Sequence, residues 1–256
     1  NKKQIASKEN LDFFFGKKGG VDMYVGGTEH NTGHLLYARF WHKVLHDLGV
    51  VKSEEPFKSL RHQGMIGGAD GRKMSKRWGN VINPDDIVKT YGADTLRVYE
   101  MFLGPFDSHL PWNTESIMGS RRFIERVWRA SLKVLESKSK TNIDISYALQ
   151  DLINKVGNDI AEFKFNTAIS AMMIFLGLIE DKNCEISNDD FIEFVKLLAP
   201  FAPYVTDEIY YNFGFKSSIH KNDWPKFKKL KERILMQKII VQFNGKLRGE
   251  VSVMPD

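Results

Sequence analysis

The hydrophobic periodicity of this chain changes near residue 113, and this change constrains the fold more than any other feature. Residues 1–112 alternate short apolar runs with amphipathic stretches and glycine turns, which is typical of an α/β domain. Residues 113–232 show longer apolar periods of about 3.6 residues, typical of amphipathic helices joined by short connections. We therefore predict an α/β unit followed by an antiparallel helical bundle.

Local signals place elements within the α/β unit. Residues 21–25 predict a strand that runs into paired glycines, and residues 35–48 predict a helix that ends at Gly49. An Asn-Pro-Asp-Asp run at residues 83–86 is a strong helix start, because asparagine caps the first turn and proline fits it. That helix should end at Gly92.

Two further expectations concern the segments on either side of this helix. Residues 64–71 are rich in glycine and predict a loop. Aspartate is a favoured capping residue, so we expect Asp94 to cap a helix from Thr95 to Leu103.

Five helices are expected in the bundle. The first, residues 115–136, has an apolar face and, opposite it, a basic stripe at spacings of four, three and four residues. The basic stripe consists of Arg122, Arg126, Arg129 and Lys133. Apolar periods place the other helices at residues 149–163, 169–179, 191–198 and 204–213.

Residues 233–256 have the pattern of a β-hairpin. Two strand-like runs flank Asn244-Gly245, a dipeptide typical of the type I′ turn. Because a two-stranded hairpin is marginally stable alone, we expect this segment to begin a small α+β C-terminal domain.

Composition excludes several classes of protein. With 42% apolar and 27% charged residues, the chain is too apolar for disorder. A single cysteine, Cys184, excludes a disulfide framework and a cysteine-rich zinc site. No apolar run approaches the roughly 18 residues of a membrane helix, and no signal peptide is evident, so we expect a cytoplasmic protein. The net charge of +5 is modest, and its distribution matters more than its size.

The first candidate site follows the predicted strand at residues 26–34, Gly-Gly-Thr-Glu-His-Asn-Thr-Gly-His. Paired glycines let a ligand approach the backbone, and the Glu29 carboxylate can accept hydrogen bonds from ribose hydroxyls. A zinc site is the alternative, and it is weak because the His-Glu-x-x-His order is absent. Its candidate ligands are Glu29, His30, His34, His42 and His46.

The second candidate site is the run Gly-Arg-Lys-Met-Ser-Lys-Arg at residues 71–77, in which four of seven side chains are cationic. A mobile cationic loop suits a polyphosphate, because it can close over the charge that develops on a leaving pyrophosphate. It lacks the P-loop pattern. A solvated basic turn accounts for the composition equally well.

The third candidate site is a basic surface that combines the stripe of the first bundle helix with a later lysine cluster. A basic helix face with an apolar back is typical of contact with a nucleic-acid backbone. A solvated helix face is the equally simple alternative. The lysine cluster consists of Lys221, Lys226, Lys228, Lys229 and Lys231.

Lys73-Met74-Ser75-Lys76 resembles the Lys-Met-Ser-Lys-Ser signature of class I aminoacyl-tRNA synthetases. The surrounding blocks resemble leucyl-tRNA synthetases specifically, in that family's order and spacing. These blocks are residues 22–30, 34–40, 63–65, 79–84, 91–97, 122–128, 165–168, 200–203 and 241–246.

The resemblance implies formation of leucyl-adenylate and pyrophosphate from leucine and ATP, followed by transfer of the leucyl group to tRNA(Leu). It implies a catalytic group of Lys73, Ser75 and Lys76, whose lysines stabilise the triphosphate in the transition state. It implies that ATP is bound by Gly27, Glu29, His30, Met65 and Met74. His34 would line the leucine pocket, and Arg122 and Arg126 would contact the tRNA backbone. ATP would bring Mg²⁺, and no protein metal site or zinc is expected.

The chain also departs from the family pattern. Arg77 stands where the signature usually ends in serine, and Asn31 stands where alanine is usual. The other signature, His-Ile-Gly-His, is missing, since Asn-Thr-Gly-His at residues 31–34 lies in the wrong block. No editing insertion is seen, and residues 66–72 leave no room for an extra leucine-specific domain.

We therefore predict part of a leucyl-tRNA synthetase. Residues 1–112 would form the second half of a Rossmann-like catalytic domain, residues 113–232 the bundle and residues 233–256 the start of the last domain. The intact protein is expected to be a monomer without membrane contact, and this piece alone inactive in adenylation. The alternatives are another synthetase of the same class, a non-catalytic RNA-binding protein built on the same scaffold and, more distantly, a zinc enzyme.

Overall fold

The structure, a computed structural model, describes residues 6–16, 19–137, 139–181, 185–230, 237–244 and 246–253. Its first part mixes short strands and helices. These are α1 (Lys8–Phe15), β1 (Tyr24–Gly27), α2 (Leu36–Asp47), β2 (Leu60–Gln63), β3 (Ile66–Gly67), α3 (Pro84–Tyr91), α4 (Ala93–Phe102) and β4 (Leu110–Pro111).

Strands β1 and β2 are parallel, and Tyr24 is opposite Leu60 in their register. The crossover between them contains α2, so the predicted α/β character of this part is confirmed. The predicted strand at residues 21–25 was placed too early, because the ladder begins at Tyr24 and Val21 makes only an isolated bridge to Phe57.

Residues 64–71, predicted as a loop, contain strand β3. It pairs in parallel with β4, with Ile66 opposite Leu110. Gly64 shows why the segment is rich in glycine, because a Cβ on this residue would lie 1.9 Å from the Ser108 carbonyl oxygen. Glycine is used here for a close backbone crossing as well as for turns.

The prediction for α3 is confirmed at both ends. The Asn83 side chain accepts a hydrogen bond from the Asp85 N–H at 3.2 Å, and the helix ends at Gly92 with φ of 90°. The prediction for Asp94 is wrong, because α4 begins at Ala93, two residues before the predicted Thr95, and the Asp94 carboxylate faces another helix. It accepts backbone hydrogen bonds from Tyr204 and Val205.

Long helices follow, as the periodicity predicts. They are α5 (Ile117–Ser137), α6 (Ile143–Ala161), α7 (Phe165–Glu180), α8 (Asn188–Leu198) and α9 (Pro203–Asn212). Their apolar faces bury one continuous core, which includes Val98 of α4 and therefore joins the two parts of the chain. Its largest fully buried side chains include Phe123, Phe191, Phe194 and Phe201.

Strands β5 (Gln237–Phe243) and β6 (Lys246–Val253) form the predicted antiparallel hairpin, with a register shift between Val241 and Gln242. Asn244 in the turn has φ of 51°, the left-handed conformation that asparagine tolerates. The small domain that this hairpin was predicted to begin stays a prediction.

Two residues named in the sequence analysis, Cys184 and Lys231, lie outside the described residues. Within the described ranges, every helix is too short or too polar to cross a membrane.

Candidate functional site

Gly27 and Glu29, the predicted ribose-binding pair, are in direct contact. Gly27 is buried at the carboxyl end of β1, and Glu29 lies on the 3₁₀ turn Thr28–His30 that follows. A Cβ on Gly27 would lie 2.1 Å from Oε2 of Glu29, so the carboxylate folds back over the glycine. Glu29 and His30 are both exposed, and both can reach a ligand at this end of the strand.

His34, the predicted leucine-pocket residue, is held by the same strand. Its Nε2 and the Tyr24 hydroxyl are hydrogen-bonded at 2.5 Å, and the Tyr24 ring stacks on Phe57 at 4.1 Å between centroids. The imidazole lies on a turn of π-helix, Asn31–Leu35, just before α2. Tyr24 is not among the predicted site residues, because its only signal in the sequence is its place in the strand.

The cationic run at residues 71–77 leaves the sheet through a tight turn. The Gly68 N–H donates to the Arg72 carbonyl at 2.8 Å, and Gly67 forms an antiparallel bridge with Lys73. His109, next to β4, donates from Nε2 to the Gly71 carbonyl at 2.9 Å. The base of the loop is therefore attached to both strands of the β3–β4 pair.

Within the loop, the Ser75 hydroxyl oxygen accepts a hydrogen bond from the Arg77 N–H at 3.3 Å. It caps a 3₁₀ turn, Lys76–Trp78, which ends at Gly79 with φ of 64°. Asn80 then reaches back, and its Oδ1 accepts from the Ser75 N–H at 2.8 Å. The loop is a folded structure rather than an extended chain.

The loop has an apolar anchor and a charged outer surface. Met74 packs against a small core under the loop, and Met65 is half-buried. That core consists of Ile87, Leu96, Tyr99, Trp112 and Ile117. Lys73 and Lys76, on either side of Met74 and Ser75, are exposed, and neither forms an ion pair with any residue that the structure describes. Both ammonium groups are available to an anion.

Asp70 is the acidic group built into the base of this loop. Hydrogen bonds from the Asn80 side-chain amide and the Arg72 backbone N–H lower the pKa of the Asp70 carboxyl. The carboxylate also pairs with the Arg72 guanidinium at 3.2 Å. Its charge is therefore directed at Arg72, which leaves the two lysines uncompensated.

The basic stripe on α5 is less uniform than predicted. Arg126 makes a two-pronged ion pair with Glu180 of α7, which raises the pKa of the guanidinium. The pair connects two helices, so Arg126 already has a carboxylate partner. Arg122, Arg129 and Lys133 are exposed. Glu180 was not predictable as the partner of Arg126, because it lies 54 residues further along the chain.

Two of the histidines proposed as zinc ligands make hydrogen bonds to different parts of the structure. His34 bonds to Tyr24, while His42 donates to the Ser53 carbonyl at 2.8 Å. Across the part of the chain that the structure describes, no three His, Cys, Asp or Glu residues are grouped as metal ligands.

Two family models match the chain, and together they span most of it. Residues 15–112 match the model "tRNA synthetases class I (I, L, M and V)", and residues 143–256 match "Anticodon-binding domain of tRNA ligase". The matched regions correspond to the α/β part with its cationic loop and to the bundle with the hairpin. The chain belongs to the class I tRNA synthetases.

Individual relatives show which of the class I synthetases the chain is similar to in sequence. The chain is 45% identical over 236 residues to the leucine–tRNA ligase of Mycoplasma mycoides subsp. mycoides SC, a match over 91% of this chain. It is 35% identical to a LeuRS of Agrobacterium radiobacter K84, solved in a ternary complex with tRNA and LeuAMS, with a TM-score of 0.78 over 91% of this chain. The chain is therefore a member of the leucyl-tRNA synthetase family.

The chain spans about a third of these relatives, 29% of the Mycoplasma ligase and 32% of the Agrobacterium synthetase. A Mycobacterium tuberculosis methionyl-tRNA synthetase in complex with methionyl-adenylate matches 74% of this chain and 43% of its own, at 18% identity and a TM-score of 0.55. That similarity shows a shared fold.

Proposed function

We propose that the protein to which these residues belong activates leucine with ATP and transfers the leucyl group to tRNA(Leu). The observation that carries the proposal is the anchored loop that presents Lys73 and Lys76, exposed and without ion-pair partners in the described structure. The 45% identity to a leucine–tRNA ligase supports leucine rather than another amino acid. The protein is expected to act as a cytoplasmic monomer.

In the adenylation step, the leucine carboxylate attacks the α-phosphate and pyrophosphate leaves. Lys73 and Lys76 supply positive charge to the leaving pyrophosphate, whose negative charge grows in the transition state. Ser75 shapes the turn that carries Lys76, because its oxygen accepts the Arg77 N–H, and its own O–H remains a donor for a phosphate. Mg²⁺ enters with ATP as part of the substrate.

The nucleoside and the amino acid are assigned to the end of β1 and the start of the cationic loop. Gly27 and Glu29 hold the ribose, because the carboxylate lies over a residue without a side chain. His30 is exposed beside them. Met65 and Met74 contact the adenine, for which polarizable thioethers are suitable. The imidazole of His34, fixed by Tyr24, forms part of the leucine pocket.

The bundle is assigned to tRNA. Arg122 is the better candidate for a phosphate contact, because it is exposed, whereas Arg126 is paired with Glu180. Arg126 would exchange Glu180 for a phosphate when tRNA binds. The Agrobacterium synthetase, which was solved in a complex with tRNA, supports an RNA partner.

The 256-residue chain alone is proposed to be inactive in adenylation. In the described residues up to 63, Leu35 and Pro56 are the buried side chains, whereas Leu36, Tyr37, Phe40 and Trp41 of α2 are 60–64% exposed. Parallel strands with a crossover helix are normally covered on both faces. We infer that further polypeptide covers α2 and completes the ATP site.

Leucine-dependent exchange between ATP and pyrophosphate, in the full-length protein, tests the proposal. Exchange is expected with leucine and not with isoleucine, valine or methionine. Lys76→Ala is expected to lower the exchange rate with little change in the KM for leucine, since the lysine acts on charge that develops in the transition state. Lys89→Ala, on the exposed side of α3, is the matched control. Exchange that depends on another amino acid contradicts the proposed specificity for leucine. Exchange catalysed by the isolated 256-residue chain contradicts its proposed inactivity.

A further inference from the structure

Trp78 lies at the end of the cationic loop and contacts two arginines. The Arg72 Cζ atom is 5.1 Å from the centroid of the Trp78 ring, and the Arg77 Cζ atom is 5.0 Å from it. These distances are within the range of cation–π attraction. Arg72 precedes Lys73 and Arg77 follows Lys76, so one aromatic ring connects the two ends of the Lys-Met-Ser-Lys segment.

Asn80 connects the same segment by hydrogen bonds. Its Nδ2 donates to Oδ1 of Asp70 at 3.1 Å and lies 3.4 Å from the Lys73 carbonyl. Its Oδ1 accepts from the Ser75 N–H at 2.8 Å. A single amide therefore contacts the start, the first lysine and the centre of the loop.

The two sets of contacts meet at Asp70 and Arg72. Asp70 accepts from Asn80 and pairs with Arg72, and Arg72 lies over Trp78. The loop backbone is thus closed into a ring by side chains before and after the lysines. We propose that Asn80 and Trp78 are positioning residues that hold this loop in one conformation, so that Lys73 and Lys76 present their ammonium groups together to a polyphosphate.

The loop needs such a device because of its charge. Arg72, Lys73, Lys76 and Arg77 are cationic within six residues, and they repel one another at close range. An exposed loop of this kind favours many open conformations unless contacts select one. The Trp78 ring attracts two of the four cations and leaves the two lysines unengaged. Arg77, which departs from the usual serine, thereby gains a structural function.

Limited trypsin digestion of the folded chain tests the ordering directly. Trypsin cuts after the four cationic residues of the loop, at a rate that follows the population of open loop. Trp78→Ala is expected to speed cleavage within residues 72–77 by about fivefold, the effect of one or two exposed cation–π contacts. Asn80→Ala is expected to speed it by a similar factor through the loss of its hydrogen bonds. Trp78→Phe, which keeps an aromatic face, is expected to restore most of the protection. Trp41→Ala, at a 61% exposed tryptophan of α2, is the control.

The link to the lysines rests on the proposed function and is tested with inorganic tripolyphosphate. Calorimetric titration of the chain is expected to show weaker binding by about fivefold in Trp78→Ala, with rescue in Trp78→Phe. The tripolyphosphate affinities of Lys73→Ala and Lys76→Ala are measured in parallel, and both are expected to be lower than that of the wild type.

The outcomes separate the two proposals. Unchanged cleavage in Trp78→Ala and Asn80→Ala overturns the positioning role, whatever the loop binds. Faster cleavage with unchanged tripolyphosphate binding, while the lysine variants bind more weakly, also overturns it. Tripolyphosphate binding that does not depend on either lysine contradicts the proposed function of the loop, and the trypsin result alone then decides whether Asn80 and Trp78 order it.

Discussion

The Asp94 carboxylate accepts a 2.7 Å hydrogen bond from the backbone N–H of Val205, at the start of α9. It also accepts the Tyr204 N–H at 3.2 Å, and Asp94 is only 8% exposed. A carboxylate at the first turn of a helix satisfies free N–H groups and interacts favourably with the helix dipole. One side chain therefore links the α/β part to the last bundle helix.

Asp94→Ala is expected to lower the free energy of unfolding by about 1–2 kcal/mol, the usual cost of losing a capping side chain. Asp94→Asn, which keeps one acceptor oxygen, is expected to lose less. Urea unfolding followed by circular dichroism measures both. Asp151→Ala, at an exposed position of α6, is the control and should change stability by less than about 0.5 kcal/mol. Equal effects at the two positions would show that Asp94 makes no special contribution.

Asp94 also shows what the sequence could not predict about the fold. The ends of α3 were predictable because Asn83 and Gly92 act on neighbouring residues. The acceptor role of Asp94 was not, because its donors lie 110 and 111 residues away. Local spacing predicts that an aspartate will cap a helix, but only tertiary packing decides which helix.

In the candidate site, too, contacts between residues close in sequence were predictable and contacts between residues further apart were not. Gly27 and Glu29 were predictable as a pair, because they are two residues apart at a strand end. The Tyr24 hydroxyl near His34 and the amide of Asn80 were not, because their partners depend on how the strand and the loop fold back. The motifs predict which residues carry chemistry, but they give no information on which residues orient them.

Arg122 and Arg126 are expected to differ in RNA binding. Arg122→Ala should reduce the slope of log affinity against log salt by about one, because it would remove the one phosphate contact proposed for this side chain. Arg126→Ala should lower stability, because it leaves Glu180 without its partner. It should also weaken RNA binding less than Arg122→Ala does, because a phosphate must first displace Glu180 from Arg126. Filter binding of a tRNA(Leu) transcript by the full-length protein at several salt concentrations, with thermal unfolding of each variant, measures the difference. A larger loss of RNA affinity in Arg126→Ala than in Arg122→Ala would contradict this order.

Gly64→Ala is expected to be strongly destabilising, by about 3 kcal/mol or more, because its Cβ would lie 1.9 Å from a backbone oxygen that cannot move freely. Gly119→Ala, in α5, is the matched control, because nothing lies within 4 Å of its added Cβ. That substitution should stabilise the protein by up to about 1 kcal/mol through helix propensity. Denaturant midpoints compare the two, and a mild effect at Gly64 would contradict the close crossing with Ser108.

Glu55 connects the segment before β2 to α2 and makes stability depend on pH. Its carboxylate accepts from Arg39 Nε and Nη2 at 2.9 and 2.7 Å and pairs with Lys43 at 3.0 Å. Hydrogen bonds from Arg39 and then Lys43 lower the pKa of Glu55 from 4.5 to about 2. Because the folded-state pKa is depressed, the contribution is present above pH 4.5 and is lost as the pH falls through about 2.

The expected result is a difference in unfolding free energy between the wild type and Glu55→Gln that is constant near neutral pH and shrinks from about pH 4.5 towards pH 2. Chemical unfolding at a series of pH values measures it. The difference should also decrease at high salt, because the pair is exposed and screened. Glu54→Gln, whose carboxylate is more exposed and lies 3.5 Å from Lys43, is the control. Glu54→Gln should give a curve parallel to the wild type, and parallel curves for Glu55→Gln as well would mean that the Arg39 pair does not persist in solution.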